Sequence, residues 1–236
     1  MPVLLPLAIA DFKLVFRDAS LRIFLVMPFL IFLVILVALP ALISRYPGAD
    51  QFTHVILMGA LIQTSTMFGF IYSIVLIHEK EMQVAIVYGV LPISKVGFTL
   101  TRLVFPFVVS TLFSLSLLLI QPFFFLDLTS CLLLAILSGL LAPTLILSLA
   151  SLSKNKMEGM TWYKLLNLVI TIPLVAFIMP QYAFFFAIIP SFWIYDTLNL
   201  MIAGQSYGIS MLVGYLYFLF FGIMILLDFT RKHFRT

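Results

Sequence analysis

The chain is 236 residues long, 64% hydrophobic and only 9% charged, with a formal net charge of +4. A water-facing globule of this size cannot hide so much apolar surface, so lipid must solvate most of the chain, and the excess of basic residues reflects topology rather than a nucleic-acid partner. The lone cysteine, Cys131, falls inside an apolar run, which leaves no disulfide framework and no cysteine-based metal cluster.

The leading segment, residues 1–22, is helix-patterned. Leu5, Ala8, Ile9, Phe12, Val15, Phe16 and Ala19 share one face, while Asp11, Lys13, Arg17, Asp18 and Arg22 share the other. This is the pattern of an interfacial helix lying flat in the headgroup layer, the reading favoured by the basic face, although a helix docked on a cytosolic partner would show the same pattern. The first long apolar run follows at Ile23–Ile43. It exceeds the apolar core of a cleavable signal and reads as a retained span. A bilayer core needs roughly 20 apolar residues per helix. Runs of about that length recur at Val55–Ile77, Leu103–Pro122, Cys131–Leu152 and Met211–Asp228, with a shorter one at Leu165–Met179. Between the last two lies Tyr182–Leu200, rich in aromatics but broken by Pro190 and polar at Ser191, Asp196 and Asn199.

Charge decides what that awkward segment is. Of the 13 Lys and Arg residues, all but Arg45 fall on one side if there are six spans. They sit before the first span, in the second-to-third and fourth-to-fifth connections, and at the C-terminal end. The positive-inside rule makes that side cytoplasmic, with both termini inside; a seventh span would put the basic C-terminal segment outside. The expectation is therefore an all-α integral membrane protein forming one membrane domain over 1–236. It has six transmembrane helices, an N-terminal interfacial helix at 1–22, a cytoplasmic loop at 78–102 and a re-entrant outer element at 180–205.

The second-to-third connection is the most informative stretch. Glu79-Lys80-Glu81 stand at the membrane boundary, and a helix-compatible, largely apolar run follows and stops before Pro92. An apolar cytoplasmic helix needs something to cover it. A partner protein and the chain's own helix ends are equal candidates on physical grounds.

Glu-Lys-Glu, a short helix and Leu91-Pro92-Ile93-Ser94, placed after the second of six spans, resembles the permease subunits of ABC-2 type ATP-binding cassette transporters. Many members follow the charged triplet with Gly-Thr and an acidic residue, where this chain has Met82-Gln83-Val84. The connection Ser153–Met160 is also similar to that of small permeases in this family, including those grouped with drug and fluoroquinolone exporters. The resemblance covers essentially the whole chain. It implies that the loop is a coupling helix docking on an ABC ATPase subunit. Glu79, Lys80 and Glu81 would supply charge, Val84, Val87, Tyr88 and Leu91 would fill a groove, and Lys154, Lys156 and Glu158 would lie alongside. It also implies a second permease subunit, as homodimer or heterodimer, and export as the direction.

No Gly-x-x-x-x-Gly-Lys-Ser/Thr loop is present, so ATP and Mg would be held by a separate polypeptide, and this chain is expected to bind no cofactor or metal itself. Ionisable residues are nearly absent from the span interiors, which disfavours an ion-coupled carrier. The polar residues Gln63, Thr64, Ser65 and Thr66 in the second span, with Asn167 and Thr171 in the fifth, either line a cargo cavity or bond helix to helix. Two further readings share the chain. An intramembrane protease or lipid transferase needs clustered nucleophiles, acids or metal ligands, whereas His54, His78 and His233 are scattered; Asp127 and Asp196, both near the outer side, could pair as carboxylates, with no other feature supporting such a site. A non-transporting anchor for an ATPase would carry the same coupling loop.

Overall fold

A computed structural model of the chain describes residues 19–83 and 95–233. Among these residues every regular element is helical, and six helices are long and apolar enough to cross a membrane. These are span 1 (Leu21–Arg45), span 2 (Pro47–Glu81), span 3 (Lys95–Ile120), span 4 (Leu128–Leu152), span 5 (Lys156–Ile178) and span 6 (Gly208–Arg231). The predicted interfacial helix over 1–22 lies, except for its last residues, outside the described part.

Span 2 is the centre of the bundle. Its apolar window is 83% buried against 11% for span 5 and 17% for span 1, so spans 1 and 5 turn most of their surface to lipid. Central placement explains how the hydroxyls and amide of span 2 are tolerated: they meet other helices instead of hydrocarbon. Gly69 of span 2 packs on the backbone of Ala142 in span 4, where an added Cβ would stand 3.1 Å from the Ala142 carbonyl oxygen. Span 1 widens into a π turn at Val34–Ala38 just before Pro40, which lacks an N–H and whose ring would clash with the preceding turn.

The connection between spans 4 and 5 is shorter than its sequence suggests. Helix resumes at Lys156, with Asn155 accepting the Glu158 N–H at 2.9 Å and the Glu158 carboxylate accepting the Lys154 N–H at 2.8 Å. This reciprocal cap pulls Met157–Lys164, read from sequence largely as loop, into span 5. Likewise Lys95–Arg102, placed in the 78–102 loop from sequence, is the first part of span 3. At the other end of that connection span 2 stops at Glu81, and Gln83 takes a left-handed conformation (φ 59°) of the kind glycine usually fills at helix ends.

The outer element is re-entrant. After span 5 ends at Ile178 the chain folds back through short turns, and Ser191 Oγ donates to the carbonyl of Ile170 at 2.7 Å. Ile170 lies two helical turns before the end of span 5, about 12 Å deeper at ~1.5 Å per residue. The tip is closed by Trp193 Nε1 donating to Ala187 O at 2.9 Å, and Ile188 shares an apolar groove with Phe220, near the middle of span 6. The helix Pro190–Ile202 then climbs back out along span 6, with Thr197 beside Ser210. It ends in a glycine cap: Gly204 has φ 65°, and Gln205 N donates to Leu200 O at 2.9 Å.

At the start of span 4, Asp127 caps the helix by accepting the Ser130 N–H at 2.9 Å and the Ser130 hydroxyl at 2.5 Å; that hydroxyl also meets Tyr207. The Ser130 hydroxyl, then its backbone N–H, hold the Asp127 carboxyl below its ordinary value of 3.8. A depressed carboxyl stabilises the fold above its ordinary value, and the contribution is lost as pH falls through the lowered one. Wild type in detergent should thus melt above Asp127→Ala near about pH 6 and lose that advantage as the pH falls below the ordinary carboxyl value of 3.8. A gap that stays constant across the scan would show that ionisation of Asp127 plays no part.

Candidate transport path and inner charged face

An α-helix turns about 100° per residue, so the four consecutive polar residues of span 2 must face four directions. Gln63 looks toward span 5: its Nε2 donates to Asn167 Oδ1 at 3.4 Å and to Thr171 Oγ1 at 3.3 Å, while Thr66 Oγ1 donates to Gln63 Oε1 at 3.2 Å. Four of these six polar residues therefore meet in one cluster between spans 2 and 5, with Thr66 buried, Gln63, Asn167 and Thr171 half-buried, and Tyr163 beside it. Thr64 does not join them. It is fully buried, and its hydroxyl bonds back to the Ala60 carbonyl at 2.8 Å within its own helix. Ser65 looks toward spans 3 and 4 and forms a buried serine triad, 2.9 Å from Ser138 and 3.3 Å from Ser114. Sequence reasoning did not pair Ser65 with Ser114, which stands among the other hydroxyls Ser110, Thr111 and Ser116, or with Ser138, legible only as a small residue that suits close helix packing.

The face that carries most of the Lys and Arg residues is knit by charge. Glu79 does not point outward to a partner, as expected from its place in the triplet; both its carboxylate oxygens are taken by Arg102 of span 3. Arg102 Nη1 stands 2.6 Å from Oε2 and Nη2 stands 2.8 Å from Oε1, and the two side chains are 4% and 10% exposed for Arg102 and Glu79. A two-pronged, charge-assisted contact of this kind is the strong form of an ion pair and fixes orientation as well as distance. The guanidinium also lies over the Phe98 ring, 5.6 Å from its centre. Lys80 is turned inward too. Its Nζ donates to the carbonyls of Ser153 (2.9 Å) and Ala150 (3.3 Å), which capture the orphan acceptors at the C-terminal end of span 4. Of the triplet, Glu81 is the exposed member.

Lys154 is exposed at the same face, with Lys156 and Glu158 half-buried and Glu158 committed to the cap of span 5. Val84, Val87, Tyr88 and Leu91 lie outside the described residues. Arg102 was legible only as the one cation in the predicted loop-to-span boundary; nothing in its neighbours pairs it with Glu79. Among the described residues no three His, Cys, Asp or Glu side chains converge as a metal site would require.

The sequence model of the family described as "Fluoroquinolones export permease protein Rv2686c-like" matches residues 11–226. The chain belongs to this family. Residues 11–226 take in spans 1 to 5, the hairpin after span 5 and most of span 6, so membership in the Rv2686c-like permeases describes nearly the whole membrane domain and makes the chain a transport subunit rather than an enzyme. It is a multi-pass membrane protein. Neither the curated proteins nor the solved structures contain a match.

Proposed function

We propose that this chain is the membrane-spanning subunit of an ABC exporter, driven by ATP and Mg held on a separate ATPase subunit. The observation that carries this reading is family membership across residues 11–226. The cargo is hydrophobic or amphipathic, with fluoroquinolones the class suggested by the family's description. The basic face, with Lys95, Lys154 and Arg231, is cytoplasmic by the positive-inside rule. There Glu81, Lys154 and Lys156, with Val84, Val87, Tyr88 and Leu91 of the intervening segment, receive the ATPase. A second permease subunit, identical or related, completes the path, and the Gln63–Thr66–Asn167–Thr171 cluster offers cargo a polar contact between spans 2 and 5. An amide and hydroxyls in an apolar wall suit an amphipathic molecule, because they orient its polar group without the cost of a buried charge.

The test is fluoroquinolone accumulation in cells expressing the chain, a candidate ATPase subunit, or both. Accumulation falls only when both are present, and Glu81→Lys with Tyr88→Ala abolishes co-purification of the ATPase. In vesicles, Gln63→Leu raises KM by about 3- to 10-fold, the worth of a hydrogen bond or so, with kcat little changed. If the chain alone lowers accumulation as well as the pair does, ATP-driven coupling is wrong.

A further inference from the structure

Two charges withdrawn from water at the inner end of a membrane protein are an expensive way to hold helices together. An apolar pair of the same volume stabilises as well or better, so a buried ion pair is best understood through the geometry it imposes. Glu79 sits in the last turn of span 2, and Arg102 sits two turns into span 3. Their two parallel contacts at 2.6 and 2.8 Å forbid sliding and rotation of one helix past the other, which a greasy contact permits. The next residue, Lys80, ties the same helix end to the terminal carbonyls Ala150 and Ser153 of span 4. Three inner helix ends are thereby bolted through consecutive residues of span 2, the most buried helix in the bundle.

We propose that Glu79 and Arg102 are positioning residues for transport: they make the inner ends of spans 2, 3 and 4 one rigid body, so that force applied at the cytoplasmic face moves these spans together. The inference rests on the ATPase-driven reading above. Without the pair, ATP would still be hydrolysed by the partner, but helix slippage would dissipate the motion before it reached the path.

The test uses the complete complex of chain and ATPase in proteoliposomes, with a fluorescent fluoroquinolone as probe, reading ATP turnover and probe moved per ATP. Two double variants are compared with wild type: the apolar pair Glu79→Leu with Arg102→Met, and the charge swap Glu79→Arg with Arg102→Glu. The apolar pair should assemble with the ATPase and keep turnover within about twofold of wild type, yet move at least about fivefold less probe per ATP. The swap should recover at least half of the lost coupling. An apolar pair that transports as much per ATP as wild type overturns the proposal, since the pair would then be scaffolding only. So does a folded swap variant that recovers nothing. Failure of the wild-type complex to transport at all, or to bind the ATPase, is a distinct result: it removes the ATPase-driven reading, and the joint falls with it.

Discussion

Arg102→Met lowers the stability of the folded chain by about 3–5 kcal/mol, the cost of leaving the Glu79 carboxylate buried without its partner. At 10% exposure that carboxylate is not rescued by bulk water, and among the described residues the guanidinium site is bordered mainly by apolar groups, Phe98, Val75, Leu76, Leu103 and Ile146, with Tyr72. The matching single change Glu79→Leu takes the two-pronged carboxylate contact from Arg102 and is likewise destabilising. The double variant Glu79→Leu with Arg102→Met falls back to within about 1 kcal/mol of wild type, because no uncompensated charge remains. Thermal unfolding of the four proteins in one detergent closes this double-mutant cycle. Equal midpoints for Arg102→Met and wild type would mean that the pair is wet and weak in the membrane-embedded protein.

Gly69→Leu should separate spans 2 and 4 and cost about 3 kcal/mol. The atoms facing Gly69 include the carbonyl oxygen and Cα of Ala142, at 3.1 and 3.2 Å from where a Cβ would stand, and backbone cannot step aside as a side-chain tip can. In lipid, where helix association relies on close packing more than on the hydrophobic effect, this contact is the seam of the molecule. Gly69→Ala is milder, since the tighter fit is offset by about 1 kcal/mol of helix propensity. Gly222 of span 6, with nothing within 4 Å of its Cβ position, is the control: Gly222→Leu leaves the melting temperature unchanged. A Gly69→Leu protein that melts with the control would place the seam elsewhere.

Much of the architecture was legible in the chain because the bilayer imposes a one-dimensional rule. Each apolar run long enough to cross must cross, and the distribution of Lys and Arg selects the count; Tyr182–Leu200 was read as a hairpin from charge alone, and Ser191 on Ile170 places it as one. From the chain alone Gln63, Asn167 and Thr171 either line a cavity or bond helix to helix; in the structure Gln63 bonds both others, because polar groups in a lipid-solvated chain must find each other. What the chain by itself determined was therefore which segments span and which residues need partners.

The partners were settled by tertiary structure. Glu79 in a triplet of charges at a membrane edge looks like a surface residue, and only the rotation of span 2 about its axis and the extension of span 3 down to Lys95 bring Arg102 against it. The same rotation sends Ser65 to Ser138 and leaves Thr64 with its own backbone, although the two are adjacent in sequence. Hydropathy measures how far a residue prefers lipid to water, which suffices to count spans. It carries no term for which neighbouring helix a side chain faces, and that direction is set by backbone seams such as Gly69 on Ala142 that exist only once the helices pack.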